Sequence, residues 1–163
     1  MAVDIFLKIE EPPIKGEARD DKHKEEIDVL AWSWGLSNSG SAHVGGGAGA
    51  GKVNVQDLSI TKYIDSGSPE LALSTASGRH HKKATLTVRK AGGDNPVEYL
   101  KIHMTEVLIT SYSMGGSGGE DRLTENVTLN FAEYEIEYTP QKPDGTPDAS
   151  KKTGWDIAAN KKK

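Results

Sequence analysis

The stretch from Glu26 to Tyr63, EIDVLAWSWGLSNSGSAHVGGGAGAGKVNVQDLSITKY, joins two segments of β pattern through a glycine-rich span. Five of the seven residues from 45 to 51 are glycine. Because glycine loses the most backbone freedom on ordering, this span favours neither a strand nor a helix. The stretch therefore predicts two strands separated by a loop over residues 37–51, and loops of about fifteen residues are usually functional or disordered.

Part of this loop imitates a phosphate-binding motif. Residues 46–52 fit the pattern G-x-x-x-x-G-K, but Val53 stands where a P-loop needs the Ser or Thr that holds magnesium. A P-loop also leads into a helix, whereas Lys52 opens an alternating segment typical of a strand. Nucleotide binding is therefore the less favoured interpretation, and no cofactor is predicted.

Upstream of this stretch, Val3 to Ile9 alternates as a half-buried strand does. Phe6 falls on its polar face, which indicates that this face is covered as well. The charged run from Arg19 to Glu25 predicts a solvated loop, with a polar contact to a partner as the alternative.

The hydrophobic face switches sides once in each of four predicted strands. The switches separate Ile27 and Val29 from Leu30, Trp32, Trp34 and Leu36; Val53 and Val55 from Leu58 and Ile60; Leu100, Ile102 and Met104 from Val107 and Ile109; and Val127, Leu129 and Phe131 from Tyr134, Ile136 and Tyr138. A one-residue slip in a period of two turns side chains to the opposite face, so an intact strand needs a bulge there. Four slips predict a mainly β protein, an antiparallel barrel of bent strands or a two-sheet sandwich.

One short helix is predicted over residues 69–77. Ser68 suits the N-cap, Pro69 the first helical position, and Gly78 the position after the helix. A helix this short is marginal alone, so Leu71 should dock on the sheet. The run that follows, Arg79 to Lys83, predicts a solvated basic turn rather than a metal site, because adjacent histidines point in different directions.

Other polar and aromatic residues favour structural interpretations. Trp32 and Trp34 are interpreted as core anchors, with a subunit interface as the alternative. The acidic row Glu133, Glu135 and Glu137 is typical of a solvated face rather than of a catalytic pair. Residues 1–139 are expected to form one domain and residues 140–163 a tail, with one short strand near 155–157 and a disordered end.

Composition excludes several classes of protein. The chain has 163 residues, a net charge of −4 and no cysteine, which gives no bulk attraction to nucleic acid and no disulfide or thiolate metal site. No apolar run approaches the ~20 residues of a membrane-spanning helix, and no secretory signal is visible. No nucleophile, acid–base pair or metal-ligand spacing stands out. A binding or structural role is favoured over an enzyme.

Five segments resemble, in order, the conserved blocks of the Hcp family, the haemolysin-coregulated tube protein of bacterial type VI secretion. They are GEARDDKHKEEIDVLAWSWG (16–35), KVNVQDLSITKYIDSGSPEL (52–71), ATLTVRKAG (84–92), YLKIHMTEVLITS (99–111) and ENVTLNF (125–131). The resemblance implies a bent barrel with a side helix, assembled into hexameric rings around a wide channel. It also implies rings that stack into a tube, tipped by a spike protein and expelled by a contractile sheath, with small effectors in the channel.

The resemblance further implies a protein that is cytoplasmic before firing and then secreted without a signal peptide, with neither nucleic acid nor membrane insertion. Stacking needs an axial contact, for which the span from Ser39 to Gly51 is the candidate. Its expected contact residues are His43, Val44, Gly45, Gly46, Gly47, Gly49 and Gly51. The alternative function is a monomeric β-barrel that binds a sugar or lipid beside Trp32 or Trp34.

Overall fold

The computed structural model describes residues 3–40, 51–90 and 96–163. Within these ranges the chain forms eleven strands and one helix. In chain order they are β1 (Val3–Glu10), β2 (Ile27–Asp28), β3 (Ala31–Ser33), β4 (Leu36–Asn38), β5 (Val53–Val55), β6 (Leu58–Tyr63), α1 (Ser68–Ser77), β7 (His80–Lys90), β8 (Glu98–Gly115), β9 (Thr124–Tyr138), β10 (Lys151–Asp156) and β11 (Lys161–Lys162).

All strand pairs are antiparallel. The main sheet has the order β11-β10-β9-β8-β7-β1-β2, and β6 joins it by pairing with both β9 and β3. Strand β9 pairs with β6 through its first half and with β10 through its second half. Strands β4 and β5 form a separate two-stranded sheet. The predicted class, a mainly β antiparallel fold of bent strands with one docked helix, is confirmed.

Three neighbouring strands switch their buried face at the same level. The buried residues on either side of the switch are His81 and Ala84 in β7, Met104 and Val107 in β8, and Phe131 and Tyr134 in β9. Two residues of each strand lie between them, and we call the row next to His81, Val107 and Phe131 the crease; it consists of Lys82, Glu106 and Ala132. The pairing keeps its register across the crease, and the shift between β8 and β9 comes later, between Ile109 and Ser111. The slips therefore mark a fold line through the sheet, where the sequence predicts separate bulges.

The crease extends into the neighbouring segments. The amide of Lys82 donates to the carbonyl of Glu11 at 3.0 Å, and the amide of Ile157 donates to the carbonyl of Ala132 at 2.8 Å. Glu106 has a φ of 55°, in the left-handed region that side chains disfavour. Strand β8 thus crosses the crease with a left-handed backbone conformation at Glu106.

The two other predicted slips break the strand instead of bending it. Residues 27–38 form β2, β3 and β4, and residues 53–63 form β5 and β6. The amide of Val29 donates to the carbonyl of Ile5 at 3.0 Å, and the next amide, of Leu30, donates to Thr61 at 2.8 Å. The successive amides of Val29 and Leu30 therefore link β1 to β6. Neither residue lies within one of the described strands.

Helix α1 docks by the face that carries Leu71, whose side chain is fully buried. Pro69 lies in the first turn as predicted, and Gly78 ends the helix with a φ of 67°. The N-cap is Gly67, where the sequence predicts Ser68, because the Ser68 hydroxyl is engaged by Glu125. At ten residues, this helix is too short and too polar to cross a bilayer, and the described residues contain no other.

The tail adds to the sheet. Strand β10 pairs with residues 133–138 of β9, and Trp155 packs against the core. At the end of the chain, where the sequence suggests disorder, β11 pairs with Trp155 and Asp156. Asn160, with a φ of 54°, supplies the tight turn that brings the chain back.

Candidate functional site

The charged run from Arg19 to Glu25 is docked on the sheet. His23 is only 7% exposed, and its ring stacks on Phe6 with the centroids 4.4 Å apart. Its two ring nitrogens lie 2.9 Å from a carboxylate oxygen of Glu26 and 3.1 Å from one of Glu98. The predicted solvated loop holds for the exposed residues of this run and is wrong for His23, which covers Phe6 on the polar face of β1.

Arg89 locks the same segment in place. Its guanidinium donates to both carboxylate oxygens of Asp20, at 3.0 and 2.5 Å, and to Asp4 at 2.9 Å. The hydrogen bond from Arg89 lowers the pKa of Asp20 to about 2. The two carboxylates in turn raise the pKa of Arg89. This forked ion pair holds the segment that contains Asp20 against strands β1 and β7.

A charged cluster is enclosed beneath α1. The ammonium of Lys62 lies 2.5 Å from Glu125 and 3.0 Å from Asp65, and the Ser68 hydroxyl also binds Glu125. Lys62 and Glu125 are fully buried. The burial of Tyr112 itself is the main reason that the pKa of Tyr112 rises to about 12. A serine beside a lysine resembles a nucleophile and its base, but this lysine is held by two carboxylates in an enclosed site. The cluster is structural.

The predicted basic turn at His80 and His81 is also wrong, because His81 is fully buried at the start of β7. Its Nδ1 donates to the carbonyl of Pro12 at 2.7 Å, and its Nε2 lies 3.1 Å from the Ser74 hydroxyl. Burial lowers the pKa of His81, so the ring is neutral near pH 7. Among the described residues, no group of three or more histidines and carboxylates is placed to hold a metal.

The acidic row on β9 is neither enclosed nor wholly solvated. Glu137 is 18% exposed and lies 3.6 Å from His103 and 4.0 Å from Lys152. Glu133 is 28% exposed and lies 3.5 Å from Lys163. Lys152 of β10 and Lys163 at the end of the chain lie beside these half-exposed carboxylates, an arrangement typical of a sheet surface rather than of an acid–base pair.

Strands β4 and β5 form a two-stranded hairpin stem, which we call the ribbon (Leu36–Asn38 and Val53–Val55). Its base is fixed by Trp34, whose ring lies 4.9 Å from that of Tyr134 and whose indole donates to the carbonyl of Gln56 at 2.9 Å. The predicted anchoring role of this tryptophan agrees with that contact. The stem leads into the glycine-rich loop.

Most of the predicted stacking residues lie beyond the ribbon, outside the described residues. They are His43, Val44, Gly45, Gly46, Gly47 and Gly49. Gly51 is described, and its carbonyl accepts a hydrogen bond of 2.6 Å from the side chain of Asn38. This bond joins the two strands of the stem just before the loop.

A second exposed surface lies at the tip of the β8–β9 hairpin. A groove of about 440 Å³ is lined by Ile64, Met114, Leu123 and the glycine-rich turn between them. Met114 is 60% exposed and Leu123 is 50% exposed. Sequence analysis missed this groove, and its only signal was apolar side chains on both sides of a flexible loop.

A family profile described as "Type VI secretion system effector, Hcp" matches residues 6–138. The chain is 63% identical over 161 residues to Protein hcp1 of Pseudomonas aeruginosa, covering 98% of each chain. A solved structure of a type six secretion system protein superposes with a TM-score of 0.92 at 32% identity, covering 99% of this chain and 100% of that one. Hcp1 from Salmonella typhimurium gives 0.81 at 41% identity, with both chains fully covered. The chain belongs to the Hcp family of the type VI secretion system.

Proposed function

We propose that this protein is the structural subunit of a secretion tube, forming hexameric rings that stack end to end. The observation that carries the proposal is the 63% identity to Protein hcp1 across 98% of both chains. The fold is compatible with such a role, because the clusters around Arg89 and Lys62 tie distant parts of the chain together. The subunit works by shape and self-association and is not an enzyme.

The assembly needs two kinds of contact. A ring closes through a heterologous contact between neighbours, and stacked rings need a second, axial contact that repeats without closing. The glycine-rich span from Ser39 to Gly51 is the candidate for the axial contact. Ring closure uses β surface, and a stable contact of that kind buries on the order of 1,000 Å².

The partners of the tube follow from its role in the type VI system. A spike protein sits at its tip, a contractile sheath expels it, and small effector proteins travel in its lumen. The subunit is cytoplasmic until the tube is fired and is then delivered outside the cell by the machine itself.

Size-exclusion chromatography with light scattering, followed by electron microscopy, tests the proposal. We expect a mass about six times that of the 17.5 kDa chain, and images of rings that line up into tubes. A monomer at every protein concentration would contradict the proposal and favour a monomeric ligand-binding barrel.

A further inference from the structure

A cleft of about 620 Å³ lies beside Asp28 and Tyr63, the last residues of β2 and β6. Its volume is within the ~300–1,000 Å³ of ordinary ligand sites. Three of its lining side chains are carboxylates, Glu17, Asp28 and Asp65, and two are guanidinium groups, Arg19 and Arg122. Three negative and two positive groups leave the lining with a net charge of −1, which a single cation would neutralise.

The carboxylate of Asp65 is nearly enclosed, but only one of its oxygens is engaged. Its side chain is 9% exposed. Its Oδ1 accepts hydrogen bonds from the ammonium of Lys62 at 3.0 Å and from the amide of Gly67 at 2.9 Å. The other oxygen, Oδ2, has no hydrogen-bond partner within the ranges that the structure describes. Because enclosed polar atoms normally find a partner, this oxygen favours a donor supplied by a bound molecule.

Asp28 is a carboxylate without a counter-ion. Among the described residues, it forms no salt bridge and no side-chain hydrogen bond. Its partial burial is the main cause that raises the pKa of Asp28, and the charges of Asp65 and Asp4 raise it further. The charge of Arg122 acts in the opposite direction and does not offset them. The carboxylate of Asp28 therefore lies in a region of negative potential that a further cation would relieve.

The cleft also shows how it holds a guanidinium, because Arg122 of the chain itself lies in it. The Cζ atom of Arg122 is 3.8 Å from the centroid of the Tyr63 ring, which is a close cation–π contact. Within the described part of the chain, Arg122 forms no salt bridge with any of the three carboxylates of the cleft. The tyrosine face therefore accepts a guanidinium, while the carboxylates beside it keep their capacity to bind one.

We propose that this cleft binds an arginine side chain of a cargo protein. The incoming guanidinium takes the place of Arg122 on the Tyr63 ring and donates to Asp28 and to Oδ2 of Asp65. Arginine fits better than lysine, because its planar group stacks on a ring and carries five donors in a fixed fork. Arg122 is then an internal competitor that occupies the ring until cargo arrives. This inference rests on the proposed function and adds the chemistry by which the subunit recognises what it carries.

Leucine-methyl NMR of the assembled protein tests the binding of a guanidinium. Leu30 lines the cleft and is 47% exposed, whereas Leu73 on α1 is 48% exposed and lies outside it. Titration with acetyl-Gly-Arg-Gly-amide should shift the methyl signals of Leu30 saturably and leave those of Leu73 in place. The citrulline analogue has nearly the same shape without the charge and should shift neither. Equal shifts of Leu30 with the two peptides would overturn guanidinium binding.

Substitutions in the cleft separate its parts. Asp28→Asn should weaken binding of the arginine peptide by about fivefold, the most that an exposed ion pair usually contributes. Asp148→Asn, at an exposed carboxylate of the tail, is the matched control and should leave the Kd unchanged. An unchanged Kd in Asp28→Asn would remove this carboxylate from the site.

The competition by Arg122 makes a prediction of the opposite sign. Arg122→Gln should strengthen binding of the arginine peptide, because the Tyr63 ring is freed and a repelling charge is removed. Arg19→Gln removes an equal charge from the same cleft and leaves the ring occupied, so it should strengthen binding less. Equal effects of the two substitutions would overturn the displacement of Arg122.

The secreting bacterium tests whether the bound arginine belongs to cargo. Asp28→Asn should lower the amounts of other exported proteins in the culture medium, measured by mass spectrometry, while export of the subunit itself continues. Unchanged export of the other proteins would overturn the cargo role. Rings that bind no arginine peptide would contradict this inference alone, whereas a wild-type protein that forms no rings would contradict the proposed function.

Discussion

Lys62 and Glu125 expose no side-chain surface, so each charge depends on the other for compensation. Their 2.5 Å contact is supported by Asp65 and Ser68, which connect β6 and β9 to the start of α1. Removing one partner of a buried pair leaves an unpaired charge in an apolar surrounding, whereas removing both does not. We therefore expect the fold to lose stability when one of the two charges is removed and to lose less when both are removed.

Lys62→Met should lower the free energy of unfolding by about 3–5 kcal/mol, because Glu125 loses its buried counter-charge. Adding Glu125→Gln should recover part of that loss. Urea denaturation at one fixed protomer concentration measures both. Lys8→Met, at a lysine 53% exposed and 3.5 Å from Glu10, is the control and should change stability by less than about 1 kcal/mol. A loss from Lys62→Met as small as the control's would show that the cluster does not need its lysine.

His81 should make stability depend on pH. Burial lowers its pKa below the ordinary 6.5, so as pH falls through 6.5 the unfolded chain takes up a proton before the folded chain does. Stability that is present above pH 6.5 is therefore lost as the pH falls. His81→Gln should flatten the slope of unfolding free energy between pH 7 and pH 5, measured by urea titration, whereas His80→Gln at the exposed neighbour should retain it. An unchanged slope in His81→Gln would contradict the neutral buried ring.

Several buried polar residues could not be read from the sequence. His23 and His81 stand in charged runs with the local pattern of a solvated turn, and Lys62 stands at a polar position of a predicted strand. Their burial depends on partners that are distant in the chain, such as Glu98 for His23 and Glu125 for Lys62. Phe6 on a polar face was the one local signal, and it correctly indicated a cover without identifying it.

At the scale of elements, the crease explains why the slips in β8 and β9 occur together. The register places the three residues of the crease opposite one another, and all three leave the buried face, so the slips in neighbouring strands occur together. Within that row, Glu106 pays the local cost of a left-handed backbone, which is about 1–2 kcal/mol for a residue with a side chain.

Glycine should therefore be preferred over valine at position 106. We expect Glu106→Gly to unfold with a free energy at least about 1 kcal/mol higher than Glu106→Val, because a β-branched residue resists positive φ. Lys83, exposed in β7 beside Thr105, is the matched strand position, and there valine should be the more stable. Chemical denaturation of the four variants decides it, and the same valine preference at both sites would refute the strained conformation.

The period-two pattern was sufficient to predict bent antiparallel strands, and Pro69 and Gly78 were sufficient to predict the short helix. It was not sufficient to separate a strand that bends from one that breaks. At Glu106 both flanking strands continue, whereas at Val29 and Leu30 successive amides bond to opposite neighbours and the strand ends. That difference is set by which partners are present on each side, and sequence spacing does not record it.

At the scale of the whole molecule, a sheet held together by buried ion pairs carries two exposed surfaces. These are the ribbon and the groove, at opposite ends of β6. The five segments that resemble the Hcp family, from residue 16 to residue 131, fall within the family match to residues 6–138. The resemblance therefore predicted the fold, whereas the groove became visible only when β6, β8 and β9 were placed together. The glycine-rich loop, residues 41–50 of which lie outside the described ranges, stays a prediction.

Deleting residues 42–50 should leave rings intact and weaken their stacking, because the ribbon that leads into the loop is a separate sheet from the main one. Light scattering should still report a mass about six times that of the chain, and electron microscopy should show shorter tubes. Replacing the same nine residues with an equal length of serine and glycine separates the effect of loop sequence from that of loop length. Loss of the rings themselves would assign the loop to ring closure instead.

The crease affects how the sheet resists bending under load. Along its strands a sheet is reinforced by covalent backbone, but across them only hydrogen bonds resist flexing. A plate folded along a line behaves as an angled beam, whose flexural rigidity along the fold far exceeds that of the flat plate. The row from Lys82 through Glu106 to Ala132 runs in the direction that lacks covalent reinforcement. We therefore expect this row to stiffen the protomer against bending across its strands.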